Sequence, residues 1–552
     1  MTSSKHSDSL RRRRGKPLTD PQQQSSQPND KVEKVLHFSN AQPKSNEHPT
    51  ANGGKPHQTQ LSQTPQLAFT VYQNSVDWLI MVVLLIVAAA VRFHRIAYPD
   101  QIIFDEVHYL GFTNNILNRK YLFDVNPVWG KLVIAFIAKI IGYDPTPVPL
   151  KLGQQLASPY QALAARAPCA IFGTLTVPVF YKVCRWLHLS TYASVVGSAF
   201  IAFDCMHVIQ SRVAMVDAIL VFWTCFSMMC ALTLWDQKNR IVFLRNNLRF
   251  SSVVRMMLLL IVTGINCGLS VSVRWTAFAT PVLIFVISFF GVAPFLVEPF
   301  NFIELIVLYG SAFIAYCGSF VLFLLQVNNS GPGDNFMSAE FQACLNGNRF
   351  ATSPAACTKS WLVRVWEVNK VIFNYSKSIR GKDKWGSSWF QWIINWRGAL
   401  YHRTLEEEKK QVALIYVLMN PFMTLMIDLL MCVFIAALFY IVRYRKRVAM
   451  NAALKAHLRR GSVLFFGWVC SMLPTMVVYR SGPVYQYLPG LFFAQAMAAV
   501  GFDMIPRKMR PGAAAIIVAG LVASFVYWSP WVYGNMLTEE KHQSMRWLPR
   551  WD

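Results

Sequence analysis

The chain has 552 residues, of which 54% are hydrophobic, 14% aromatic and only 15% charged, with a formal net charge of +25. Soluble domains carry roughly a quarter charged residues, and apolar runs of about twenty residues recur here, each long enough to cross a bilayer as a helix. A soluble protein is excluded, and the sequence reads as an all-α polytopic membrane protein. Eleven cysteines, mostly inside apolar runs and without CxxC spacing, read as core residues rather than metal ligands. Cys344 and Cys357 differ: they lie in a polar loop and can pair if that loop is lumenal.

Residues 1–75 are rich in Gln, Ser, Asn, Pro and Lys and carry Arg11-Arg12-Arg13-Arg14. Too few apolar residues are present there to build a core, so a disordered basic cytosolic tail is expected. No apolar run opens the sequence; the first membrane helix is expected to act as an uncleaved anchor. Helices are predicted at 77–97, 162–187, 191–208, 214–235, 256–272, 275–291, 302–326, 413–442, 461–478, 485–505 and 512–532, about eleven spans.

With the N-terminus cytosolic, the basic clusters share one side. They are Lys182 and Arg185; Lys238, Arg240, Arg245, Arg249 and Arg255; Arg443, Arg445, Lys446, Arg447, Lys455, Arg459 and Arg460; and Arg507, Lys508 and Arg510. The positive-inside rule expects that pattern, so much of the charge is topology and no nucleic-acid partner is implied. Two long loops, 98–161 and 327–412, then fall on the lumenal side, with 538–552 as a lumenal C-terminal tail. Within the first loop, Lys131 to Gly142 is too short for a span and suits a re-entrant or interfacial helix.

The first loop carries the chemistry. Phe104-Asp105-Glu106-Val107-His108-Tyr109 holds two adjacent carboxylates, and Phe123-Asp124-Val125-Asn126-Pro127 with Lys131 adds a third acid. Acids are scarce in this chain, and charges beside membrane segments are costly enough to mark functional sites. A lone Asp-Glu pair is more often an ordinary solvated loop, but here aromatic residues flank both acidic positions. Arg166, Arg212, Asp217, Arg274 and Arg480 lie within or at the ends of apolar runs. Helix-end arginines often snorkel, yet most of these fall on the side of the two loops. Arginines near paired carboxylates suggest an anionic headgroup site with an adjacent base.

In the second loop, Ser330-Gly331-Pro332-Gly333-Asp334 is a turn signal, with no Gly-Lys-Ser or Gly-Lys-Thr to make it a P-loop. Trp385, Trp389, Trp392 and Trp396 read as an interfacial aromatic belt. Asn328 and Asn374 each open an Asn-x-Ser sequon, usable only in a lumenal loop. No His pair or carboxylate cluster has ligand spacing, so no metal site and no cofactor are expected.

Over residues 77–537 the chain resembles the protein O-mannosyltransferases. The resemblance is carried by Phe104-Asp105-Glu106-Val107-His108, Phe123-Asp124-Val125-Asn126-Pro127 with Gly130-Lys131, Arg166 with Phe172-Gly173, and Ser211-Arg212 with Val216-Asp217. It continues in Asn329-Ser330-Gly331-Pro332-Gly333-Asp334, Tyr485-Gln486-Tyr487-Leu488-Pro489 and Ser529-Pro530-Trp531-Val532-Tyr533-Gly534. It implies a glycosyltransferase of GT-C architecture in the endoplasmic reticulum membrane, acting as a homo- or heterodimer with a family member. The implied reaction moves mannose from dolichyl phosphate mannose to Ser or Thr hydroxyls of proteins, with inversion and without metal.

The resemblance makes Asp105 the general base, with Glu106 positioning the acceptor or holding Asp105. Arg166 and Arg480 are expected on the phosphate, with Asp124, Asn126, Lys131, Gln486 and Tyr487 lining the substrate. Two departures stand out: the family's histidines in the Asp-Val-His-Pro-Pro and His-Tyr-Leu-Pro stretches are replaced by Asn126 and Gln486. The second loop is also too short to hold the β-trefoil (MIR) domain usual in eukaryotic members. Competing readings are a lipid-donor glycosyltransferase with a non-protein acceptor, a transporter, for which no inverted repeat is visible, and a non-catalytic partner subunit.

Overall fold

The computed structural model describes residues 75–145, 150–244, 249–353, 356–378, 384–444, 452–478 and 482–551. The basic tail, Arg245, Arg445, Lys446, Arg447 and Arg480 lie outside the described residues. The first apolar run forms α1 (Ser75–Phe93), and the first long loop folds into α2 (Glu106–Leu117) and α3 (Trp129–Ile141). Helix α3 matches the short interfacial helix expected from Lys131 to Gly142 and stops at Gly142, whose φ of 105° is in the left-handed region that glycine adopts freely.

Then come α4 (Pro159–Trp186), α5 (Thr191–Ala202), α6 (Cys205–Arg212), α7 (Asp217–Phe243) and α8 (Phe250–Val273). A 3-10 turn, Trp275–Phe278, leads into α9 (Ala279–Phe290), and α10 (Phe302–Gln326) follows. The second loop holds α11 (Ala339–Gln342), α12 (Trp361–Ser378), α13 (Trp389–Ile393) and the strands β1 (Ala399–Glu406) and β2 (Gln411–Val417). The C-terminal part is α14 (Pro421–Arg443), α15 (Ala452–Val478), α16 (Leu488–Phe502), α17 (Arg510–Tyr533), β3 (Met536–Thr538) and α18 (Glu539–Met545).

Among the described residues seven helices are long and apolar enough to cross a membrane, eight if the bent pair α5–α6 is one span. The expected count was about eleven. The three not counted are α9 and α16, of 12 and 15 residues, and α15, which holds the expected span 461–478 just after Arg459 and Arg460. The bend of 54° between α5 and α6 has a local cause. The first helix ends at Ala202, and Asp204 caps the second, accepting the Met206 and His207 N–H groups as well as the Asn420 N–H.

One expected helix begins too early. Residues 413–417, read as the start of a span, belong to β2, the middle strand of an antiparallel sheet ordered β1-β2-β3. A short apolar run cannot be told from a buried helix by pattern alone; here the strand is buried because neighbours pair on both edges. Helix α14 then starts at Pro421, with Asn420 capping it.

Helices α7 and α16 form the centre, whereas α1, α10, α14 and α17 turn most of their apolar surface outward. Helices α8 and α10 meet through small residues: a Cβ on Gly264 or Gly268 would lie 2.1 Å from the Leu308 or Ala312 carbonyl oxygen. Polar contacts sort the helix ends into two faces. On one, Arg185 pairs with Asp77, Lys238 with Glu304, and Asp503 gathers Ser190, His457 and Arg510. On the other, Arg212 donates to the Arg92 carbonyl, Tyr533 to the Val91 carbonyl, and β3 joins the sheet. The second face carries both long loops.

Candidate active site

At the second face a cavity of about 510 Å³ is walled by α2, the Asp124–Pro127 segment, the start of the Trp275 turn, α12 and the Pro483–Gln486 turn. Asp105, His108, Tyr109, Asp124, Asn126, Arg274, Tyr485 and Gln486 line it. Of the residues expected at the site, Asp105, Asp124, Asn126 and Gln486 therefore meet around one space.

Asp105 is the residue immediately before α2, and Tyr485 donates its hydroxyl to Oδ2 at 3.4 Å. Its neighbour Phe104 has φ of 45°, an uncommon conformation for a bulky side chain, which surrounding structure must hold. The support is aromatic. Phe104 stacks on Tyr401 at 4.0 Å between ring centroids and meets Tyr485 edge-on at 6.3 Å. Tyr401 reaches it because the β1–β2 register slips between Leu400 and His402, a bulge that re-aims one side chain. Gln210 fixes the Tyr401 hydroxyl at 2.6 Å.

Glu106, expected to position the acceptor or hold Asp105, points away from the cavity and is fully buried. Its carboxylate takes a two-pronged ion pair from Arg166, Nε to Oε1 at 2.7 Å and Nη2 to Oε2 at 2.9 Å. It also accepts the N–H groups of Ile103 and Ala214, each at 3.0 Å. Arg166, expected on a phosphate, spends its remaining N–H groups on the Ile96, Pro99 and Gln101 carbonyls. The two residues satisfy each other and tie α4 to the loop that carries Asp105. A buried pair with every donor and acceptor used is a structural clamp.

Lys131 is likewise committed. Its ammonium bonds Asp124 Oδ2 at 2.5 Å and the Asn126 carbonyl at 2.8 Å, and burial pulls its pKa down against the opposing pull of Asp124. It orders the Asp124–Asn126 segment from behind the cavity wall. Tyr487, expected on substrate, is buried and accepts the Trp468 indole N–H at 3.1 Å; Tyr485 takes the cavity position instead. Trp392, read as part of an aromatic belt, is also buried, donating to Ser387 Oγ and the Gly482 carbonyl.

Among the described residues the arginine in the cavity wall is Arg274, which pairs with buried Asp217 at 2.6 Å and approaches the Tyr109 hydroxyl at 3.4 Å. Its buried Nε–H and Oδ2 of Asp217 have no hydrogen-bond partner among the described residues. A signal for this pair was present in the sequence, since Asp217 and Arg274 are opposite charges at apolar-run ends on one predicted face. Trp275, next in sequence, is shared with a second cavity of about 550 Å³, an almost wholly apolar groove between α8, α9 and α10.

A bundle of membrane helices with a charged cavity at one face, adjoining an apolar groove, defines a polytopic membrane protein with a polar pocket beside an apolar one. Two family profiles match the chain: dolichyl-phosphate-mannose-protein mannosyltransferase over residues 82–327, and the C-terminal four-span region of protein-O-mannosyltransferase over residues 361–551. The chain belongs to the protein O-mannosyltransferase family.

Among curated relatives, dolichyl-phosphate-mannose--protein mannosyltransferase 4 of Saccharomyces cerevisiae is 31% identical over 281 residues, 49% of this chain and 35% of that one. Protein O-mannosyl-transferase 2 of Danio rerio is 26% identical over 280 residues, 49% of this chain and 35% of that one. The alignments thus span about a third of these relatives' length. The fold is similar to that in the S. cerevisiae protein O-mannosyltransferase Pmt1-Pmt2 complex bound to the sugar donor. The TM-score is 0.77 at 15% identity, covering 87% of this chain and 93% of the other.

Proposed function

We propose that the chain transfers mannose from dolichyl phosphate mannose to Ser or Thr hydroxyls of proteins entering the secretory pathway. The observation that carries this reading is the shared wall: a cavity holding Asp105 and Arg274 adjoins an apolar groove at Trp275. A donor made of a sugar phosphate on an isoprenoid needs that combination. Its tail lies along α8, α9 and α10, and its phosphate meets the Arg274 guanidinium, a fixed positive charge in the cavity wall.

The acceptor hydroxyl gives its proton to the Asp105 carboxylate as its oxygen attacks the anomeric carbon. The carbon–oxygen bond to phosphate breaks on the opposite side, and the sugar is inverted. Negative charge grows on the leaving phosphate, where Arg274 stabilises it without reorganisation. Asn126 and Gln486 supply amides able to hydrogen-bond sugar hydroxyls or phosphate. The loops work on the lumenal side of the endoplasmic reticulum membrane, with the N-terminus cytosolic. The basic clusters on the other face and the Cys344–Cys357 disulfide, which suits an oxidising compartment, support that orientation. Family membership and a fold like that of the Pmt1-Pmt2 complex favour work as a homo- or heterodimer with a family member.

The test is transfer of mannose from dolichyl phosphate mannose to a Ser/Thr-rich peptide by the purified full chain, alone and with a second family member. Asp105→Asn is expected to slow transfer by about 10²–10⁴-fold at normal abundance, and Arg274→Lys, which keeps a counter-charge for buried Asp217, to weaken donor use. Full activity of Asp105→Asn sinks the assignment of the base. Donor binding without transfer to any peptide, under either condition, sinks the protein acceptor.

A further inference from the structure

The sequence holds two Asn-x-Ser sequons, Asn328-Asn329-Ser330 and Asn374-Tyr375-Ser376, both in the second loop. Their surroundings differ. Asn328 comes two residues after the last residue of α10, is half-buried, and has its amide oxygen enclosed without a partner among the described residues. The residues after it are tied down: Asn329 bridges to Lys120 and Asn346, and Ser330 bonds the Asp334 carboxylate. A branched sugar leaving the Asn328 amide would have to displace these contacts.

Asn374 is in the last two turns of α12, and its side chain is exposed. That helix buries Val365, Val368 and Ile372, a stripe at helical spacing. At about 100° per residue, Asn374 is roughly 200° around the helix from Ile372. It is equally far from Ser376, the α12 residue in the cavity wall. A sugar rooted at Asn374 therefore projects outward from the fold, away from the cavity.

We propose that Asn374 is an N-glycosylation site and that Asn328, despite its sequon, is not. The inference rests on the lumenal orientation argued above. The modifying donor is a polyisoprenyl-diphosphate-linked oligosaccharide, delivered by a separate oligosaccharyltransferase. The Asn374 amide nitrogen bonds to the anomeric carbon and loses one proton, while the bond from that carbon to the diphosphate oxygen breaks and the lipid diphosphate departs. Transfer happens on the extended chain before α12 forms, and the folded helix leaves room for the product.

The experiment expresses the full chain in a eukaryotic host and compares gel mobility before and after peptide-N-glycosidase treatment. Wild type is expected to shift by one glycan, Asn328→Gln to shift identically, and Asn374→Gln not to shift. A third variant, Glu407→Asn with Lys409→Thr, places a sequon in the exposed β1–β2 turn of the same loop. If that variant shifts and wild type does not, the loop is lumenal and the proposal for Asn374 is overturned. A shift lost in Asn328→Gln overturns it too. If neither wild type nor the turn variant shifts, the lumenal orientation fails and takes the proposal with it.

Discussion

Adjacent residues divide the labour in the first loop. Asp105 and Glu106 are chemically near-equivalent neighbours, yet one faces a cavity and the other is a clamp, because α2 begins between them and turns successive side chains about 100° apart. The consequence is measurable. Glu106→Gln leaves the Arg166 guanidinium buried without a counter-charge, and breaking such a pair costs about 3–5 kcal/mol. Glu106→Gln should therefore lower folded yield and thermal stability in detergent, whereas Asp105→Asn should lower turnover alone. Comparing Tm and transfer rate for the two variants checks this, and equal stability of both would refute the clamp. The adjacency of the two acids was legible in the sequence; the direction each points was not.

At the scale of elements, the Ser330–Asp334 turn is a support for the cavity wall, not a ligand cradle. A Cβ on Gly331 would lie 2.2 Å from the Tyr121 carbonyl oxygen, and one on Gly333 would lie 2.4 Å from the Phe123 nitrogen. Glycine is needed because the turn presses directly on the backbone leading to Asp124, while Asp334 closes the turn onto Gly331 and Asn348. Gly331→Ala is expected to push the Asp124–Lys131 segment outward, and a misplacement of about 1 Å costs about 100-fold in turnover. Steady-state kinetics should show the loss in kcat at near-normal abundance; unchanged kcat would leave the turn a bystander. The sheet tells a related story. Nothing in the run from Gln411 to Val417 distinguishes strand from helix, because its ladder partners are β1, just upstream, and β3, more than a hundred residues later in sequence.

For the molecule as a whole, the consequential arrangement is a polar cavity and an apolar groove meeting at Trp275. Filling the groove tests whether it holds a lipid tail. Ala312→Trp, on the groove wall, is expected to raise KM for a long-chain dolichyl phosphate mannose by about 10-fold or more, roughly the loss of two buried methylenes. A short-chain, water-soluble donor should be affected far less. Equal effects on both donors would mean that the tail lies elsewhere. Arg274, at the same junction, had been visible in the sequence only as one of several arginines at apolar-run ends.

The sequence by itself determined the bilayer-spanning character, the clustering of basic residues at one set of helix ends, most of the long apolar helices, and the long first loop carrying Asp105 and Asp124. Those properties depend on hydropathy, charge asymmetry and local turn chemistry, which neighbouring residues fix. Only the tertiary structure decided which arginine meets the cavity, because Arg166 and Arg274 are alike in sequence context. They differ in whether a buried carboxylate and three carbonyls have already used the guanidinium's donors. Partner choice of that kind is set by chain segments separated by tens to hundreds of residues, and no local pattern records it.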